Sequence, residues 1–92
     1  MPSFFGNTST NATSTAYDNP YKITYYNIVN KSGGSVTINV GILYGSTFSI
    51  VPYNLVLNSG DAFFSDDKEL VLAGHQIFLT TTGSVDYYFS LE

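Results

Sequence analysis

From about residue 21 onward, apolar and polar positions alternate along the chain. Val36, Ile38, Val40 and Ile42 are interleaved with Thr37, Asn39 and Gly41. A period of two puts every second side chain on one face, so this segment reads as a half-buried strand. Val85, Tyr87, Phe89 and Leu91 alternate with Asp86, Tyr88 and Ser90 in the same way. Shorter stretches repeat the pattern. Ile77 and Leu79 share a face opposite Phe78 and Thr80, Leu55 pairs with Leu57, and Phe48 with Ile50. Pro52 ends the last of these, because it lacks the N–H that a central strand needs. Tyr21 to Asn30 is strand-like in composition, but polar and apolar residues fall on both of its faces, so its phase is open.

Turn-forming clusters separate these runs: Lys31–Ser35, Tyr44–Ser46, Asn58–Asp61, Ser65–Lys68, Ala73–His75 and Thr82–Ser84. Their glycines supply the positive φ that tight connections often require. Two of them echo each other, Leu57-Asn-Ser-Gly-Asp61 and Leu72-Ala-Gly-His75, and read as similar corners between strands. No helical stretch is found. Seven or eight short strands at this spacing predict an all-β fold, a small antiparallel β-sandwich or jelly-roll-like barrel.

Residues 1–20 stand apart from the domain expected over 21–92. Ten of the twenty are Ser, Thr or Asn, and Phe4, Phe5 and Tyr17 are the only large rings. With no apolar period, the segment can bury little within itself and reads as an extended N-terminal arm. Ordering it costs about 1–2 kcal/mol per residue in backbone entropy. A partner surface would offset that cost, so docking on a neighbouring subunit is expected. The alternative is that the arm lies along its own domain. Asp18-Asn19-Pro20 marks its end as a turn.

Composition narrows the chemistry. Charged residues are 11% of the 92, against a usual quarter or so. Ser, Thr and Asn together account for 29 residues. Lys22, Lys31 and Lys68 are the only cations and the net charge is −4, so no basic face for nucleic acid or for an anionic membrane is expected. There is no Cys, which excludes disulfides, thiol nucleophiles and Cys-ligated zinc. Residues 1–16 lack the basic start and apolar block of a signal peptide, so none is expected there. Asn7, Asn11 and Asn30 begin glycosylation-type triplets that a chain so rich in Asn, Ser and Thr produces by chance.

His75 is the only histidine and stands beside Gly74, so it reads as a turn residue rather than a general base. Asp61, Asp66, Asp67 and Glu69 form the one acidic cluster. Calcium favours several converging oxygens, but the EF-hand pattern is missing and a solvated turn is the expected reading. Lys31–Ser35 lacks the spacing of a phosphate loop. No catalytic residues, cofactor or metal are predicted, and the protein is not expected to be an enzyme.

The aromatic residues carry more information. Phe4-Phe5, Tyr25-Tyr26, Phe63-Phe64 and Tyr87-Tyr88 are adjacent pairs. Neighbours on a strand point to opposite faces, so each pair on a strand sends one ring inward and one outward. Outward rings favour cover by a partner. A core this small, with no disulfide, also favours oligomerisation.

Several segments together suggest a family. Ile28–Val40 holds a strand, an N-x-S turn and a V-T-I strand. Leu55-Val-Leu-Asn-Ser-Gly-Asp61, Glu69-Leu-Val-Leu-Ala-Gly-His75 and Gly83-Ser-Val-Asp-Tyr-Tyr-Phe89 follow. In this order they resemble the small β-sandwich virion proteins of tailed phages, the decoration, cement or head-fibre-associated proteins. The resemblance covers roughly residues 28–91. It departs at His75, where the pattern has Asp, and in the arm, which the pattern does not require. It implies an auxiliary capsid protein on the virion surface that oligomerises, with a trimer favoured, and braces the major capsid protein or other virion proteins. Phe4, Phe5, Tyr17, Tyr25, Tyr26, Phe63, Phe64 and Tyr88 are then the expected capsid or subunit contacts. The alternative is a carbohydrate- or receptor-binding module of a fibre or tail component, since tyrosines beside Asn and Asp can stack on sugars.

Overall fold

The computed structural model describes residues 3–66 and 69–92. They form ten strands: β1 (Ser3–Thr8), β2 (Asn11–Thr13), β3 (Tyr21–Asn30), β4 (Val36–Tyr44), β5 (Ser46–Ser49), β6 (Leu55–Leu57), β7 (Ala62–Ser65), β8 (Glu69–Val71), β9 (Gln76–Thr81) and β10 (Val85–Leu91). No helix occurs among the described residues. All pairings are antiparallel, within two sheets.

The first sheet runs β1-β10-β3-β7, with β8 beside β7 on the same side of β3; the second runs β2-β9-β4-β5, with β6 beside β5 on the same side of β4. Each sheet is therefore four strands wide, with one broken edge. The first two strands of the chain lie beside the last two, one pair in each sheet. With the broken edges counted as single strands, this is the double-sheet jelly roll. The expected sandwich is thus observed, in its jelly-roll form.

The alternation that predicted the strands also builds the core. Val36, Ile38, Val40 and Ile42 face inward from β4, and Val85, Phe89 and Leu91 from β10. Ile77 and Leu79 of β9 and Ile23, Tyr26 and Ile28 of β3 complete the layer between the sheets. The open phase of Tyr21–Asn30 has a physical cause. Pairing of β3 with β10 shifts register between Ser90 and Leu91, where Ser90 faces Tyr25 but Leu91 faces Ile23. The bulge turns Ile23 and Tyr26, three residues apart, to the same interior, so no single period of two fits the strand.

The two echoing corners adopt one geometry. In Asn58–Asp61 and in Leu72–His75 the fourth N–H donates to the first carbonyl, at 2.9 and 3.0 Å. Gly60 and Gly74 hold the third position at φ +81° and +85°, which type II turns reserve for glycine. Each corner carries the chain from one sheet to the other, β6 to β7 and β8 to β9.

The N-terminal segment corrects an expectation. It is not a separate arm but lies along its own domain, the alternative stated above. Ser3–Thr8 pairs along β10 from Ser90 to Val85, and Asn11–Thr13 pairs along β9. Ser14 extends the contact: its Oγ is buried and accepts the Ile77 N–H at 2.8 Å, while its own N–H donates to the Ile77 carbonyl. Tyr17 N–H then donates to the His75 carbonyl, and Gly74 N–H to the Tyr17 carbonyl. Composition concealed this, because an edge strand in a Ser/Thr-rich chain needs only its backbone and a few inward groups to pair. Phe4 supplies the main one.

Asn30 closes the opposite end of the sandwich. It is buried at the end of β3. Its Nδ2 donates to the carbonyls of Gly34 (2.7 Å) and Leu57 (2.9 Å). Its Oδ1 accepts from the backbone N–H and the hydroxyl of Ser32, both at 2.8 Å. Its backbone N–H donates to the Asp61 carbonyl. The N-x-S turn is therefore a knot joining the 31–35 and 58–61 connections to the end of β6, and the Asn30 Nδ2 is committed to the fold rather than presented for glycosylation.

Candidate functional site

The four aromatic pairs divide as strand geometry requires. Phe4, Tyr26, Phe63 and Tyr87 point inward. Phe4 packs on Tyr87 and Phe89 with ring centroids at 4.9 and 5.8 Å, and Tyr26 stacks on Phe89 at 5.3 Å. Tyr26 is 2% exposed and Phe63 packs against the same core. Burial pushes the Tyr87 phenol above its ordinary value of 10.0. Tyr17, half-buried, meets Tyr21 edge-on at 5.5 Å. Phe4, Tyr17, Tyr26 and Phe63, expected as contacts with other chains, are instead used within this one. Ring type and adjacency could not separate inward from outward members; only the register does.

The outward members come together. Phe5 lies opposite Tyr88, Tyr88 opposite Asn27, and Asn27 opposite Phe64. One straight row therefore crosses all four strands, β1 to β7, on the outer face of the first sheet. Phe5 is 66% exposed, Phe64 69% and Tyr88 44%. Phe5 and Tyr88 have ring centroids 6.1 Å apart. Tyr25, also exposed, sits two residues along β3 from Asn27 on the same face. From typical ring areas, these four residues leave about 400–550 Å² open to solvent, at the upper end for apolar patches on monomers.

Asn27 is the residue that sequence reasoning missed. Its Oδ1 is buried yet has no hydrogen-bond partner, the one such side-chain atom among the described residues. Leaving a buried acceptor unpaired costs about 1–3 kcal/mol. The only signal in the sequence was a polar residue next to a core isoleucine, which is too common to single it out.

The face carries little charge. At one end Asn7 Nδ2 donates to Asp86 Oδ1 at 2.8 Å and to Ser84 Oγ at 3.1 Å. Lys31 Nζ lies 3.6 Å from Asp86 Oδ2, both groups being about half exposed, so this pair adds little stability.

The remaining candidates disperse. His75 lies in the β8–β9 corner with its ring stacked on Tyr44 at 4.7 Å. Asp61 is in the Asn58–Asp61 turn, and Asp66 is exposed beyond β7. Asp67 and Lys68 lie outside the described residues, as does the side chain of Glu69. Among the described residues no three His, Asp or Glu groups come together as a metal site, and no helix is long and apolar enough to cross a membrane.

No protein-family model matches the chain, and neither a curated protein nor a solved structure matches it.

Proposed function

We propose that this protein is a structural virion protein of a tailed phage, an auxiliary decoration or cement protein that associates with copies of itself and with the capsid lattice. The observation that carries this reading is the row Phe5–Tyr88–Asn27–Phe64 on the outer face of the first sheet. Three exposed rings in one row on a nearly uncharged sheet form a surface that gains by being covered. The low charge removes most of the desolvation cost that would oppose covering it. Jelly rolls are frequent among capsid domains, which supports the reading but does not carry it, since one fold serves many functions.

The test is native mass by light scattering together with co-sedimentation on capsids. The wild-type chain should be oligomeric and should sediment with capsids. A Tyr88→Ser, Phe64→Ser variant should keep its fold and lose capsid binding. A wild-type chain that stays monomeric at about 100 µM and does not sediment would sink the proposal. The same face bears on the carbohydrate-binding alternative, because the Asn27 amide sits between Tyr88 and Phe64. Glycan binding that Tyr88→Ser abolishes would move the assignment there.

A further inference from the structure

The fold has four sheet edges, and they are not equally protected. An unpaired edge offers a row of free N–H and C=O groups to another strand, and natural proteins blunt such edges by shortness, breaks, charge or proline. The edge formed by β7 and β8 is broken between Ser65 and Glu69, next to Asp66. The edge formed by β5 and β6 is broken between Ser49 and Leu55, across Pro52. The β2 edge is three residues long. β1 is different. It is a continuous six-residue strand, Ser-Phe-Phe-Gly-Asn-Thr, without a charge or a proline. Its pairing partner is β10 on one side, and among the described residues nothing pairs with the other side.

We propose that β1 is an assembly edge, and that its occupant is β1 of a second copy, paired antiparallel about a two-fold axis. This rests on the self-association proposed above and names its geometry. A strand that pairs antiparallel with itself generates a two-fold, in place of the trimer that the family resemblance suggests.

The register follows from the faces. Directly opposed residues in an antiparallel ladder share a face, and a one-residue slip would set the core side of one sheet beside the outer side of the other. Outward residues must therefore face outward residues. In the most symmetric such register, Phe5 lies opposite Phe5 of the second copy, and Ser3 opposite Asn7. Two aromatic rings then meet at the axis, a favourable cross-strand pair. The outer row then runs on from one copy's Phe64 to the other's, broken in each copy only by Asn27. Charge does not oppose the approach, because Asp86 on the strand behind is already matched by Lys31.

The absence of cysteine makes the test clean. Across such a pair the Phe5 Cα atoms would be about 4.5–5.5 Å apart, within the usual disulfide span. Phe5→Cys should oxidise to a covalent dimer at micromolar protein at least ten-fold faster than Phe64→Cys, whose position is equally exposed. Phe5→Lys, which sets two like charges face to face, should lower the native mass to that of one chain, whereas Phe64→Ser should not. In the wild-type chain, amide exchange of Ser3–Thr8 should slow as protein concentration rises. Equal cross-linking rates for the two cysteine variants, or a Phe5→Lys protein that keeps the wild-type mass, would overturn the edge pairing while leaving self-association through the outer face standing. A monomeric wild-type chain would overturn both.

Discussion

Replacing Asn30 by alanine tests the knot that joins the 31–35 and 58–61 connections to the end of β6. The substitution removes two donations, to Gly34 and Leu57, and two acceptances, from the backbone and hydroxyl of Ser32. Each buried hydrogen bond contributes about 1 kcal/mol net, within about 0.5–1.5. The loss is not simply four times that figure. The Gly34 carbonyl keeps the Ser32 hydroxyl at 2.8 Å, and the 31–35 turn can admit water. The Leu57 carbonyl has no such relief, because its bond to Asn30 is buried. The expected cost is about 2–4 kcal/mol. For a domain of this size, each kcal/mol lowers Tm by about 4–8 °C, so a drop of about 8–32 °C is expected. With no tryptophan, the melt is followed by circular dichroism and tyrosine fluorescence.

Asn30→Asp separates the hydrogen bonds from packing. It keeps the shape and the acceptor for Ser32, but turns a second oxygen toward two carbonyls. At neutral pH it should be at least as unstable as the alanine variant. Burial opposite carbonyls raises the pKa of that carboxyl, so the unfolded chain ionises first, and stability should return as pH falls toward the ordinary carboxylate range. A loss under about 0.5 kcal/mol for Asn30→Ala, or an aspartate variant indifferent to pH, would refute the knot.

Deleting residues 1–13 removes β1, β2 and the ring of Phe4 from over Tyr87 and Phe89, so the cooperative thermal transition should disappear and proteolysis accelerate. A Cβ on Gly41 would lie 2.6 Å from the Phe48 carbonyl oxygen, a backbone atom that cannot move without opening the β4–β5 hairpin. Gly41→Ala should therefore cost about 1–3 kcal/mol, measured by denaturant titration. Because the Tyr87 phenol is raised in the fold, the unfolded chain loses its proton first. Stability should fall as pH climbs past the ordinary value of 10.0, and Tyr87→Phe should flatten that fall in a series of melts between pH 8 and 11.

The readable parts of the fold were those that obey one local period. Val36–Ile42 and Val85–Leu91 alternate cleanly because each crosses the core without interruption. Gly60 and Gly74 announced their corners because few other residues tolerate that φ. β3 was unreadable in phase because a bulge breaks its period, and nothing local to Thr24 or Tyr25 signals where Leu91 will shift. β1 was hidden because its partner lies at the far end of the chain. Adjacent ring pairs foretold that some rings must face outward. Their alignment into one row depended on the register of four strands brought together from both ends of the sequence.

The pairing of β1 with β10 has a further consequence, in time rather than space. Ser3 lies opposite Ser90, so the first strand of the domain waits for the last before its partner exists. β2 waits nearly as long for β9. Contacts of such long sequence separation make a fold slow to form. The sandwich can close only once its last strand has left the ribosome, and until then β1 is without its partner.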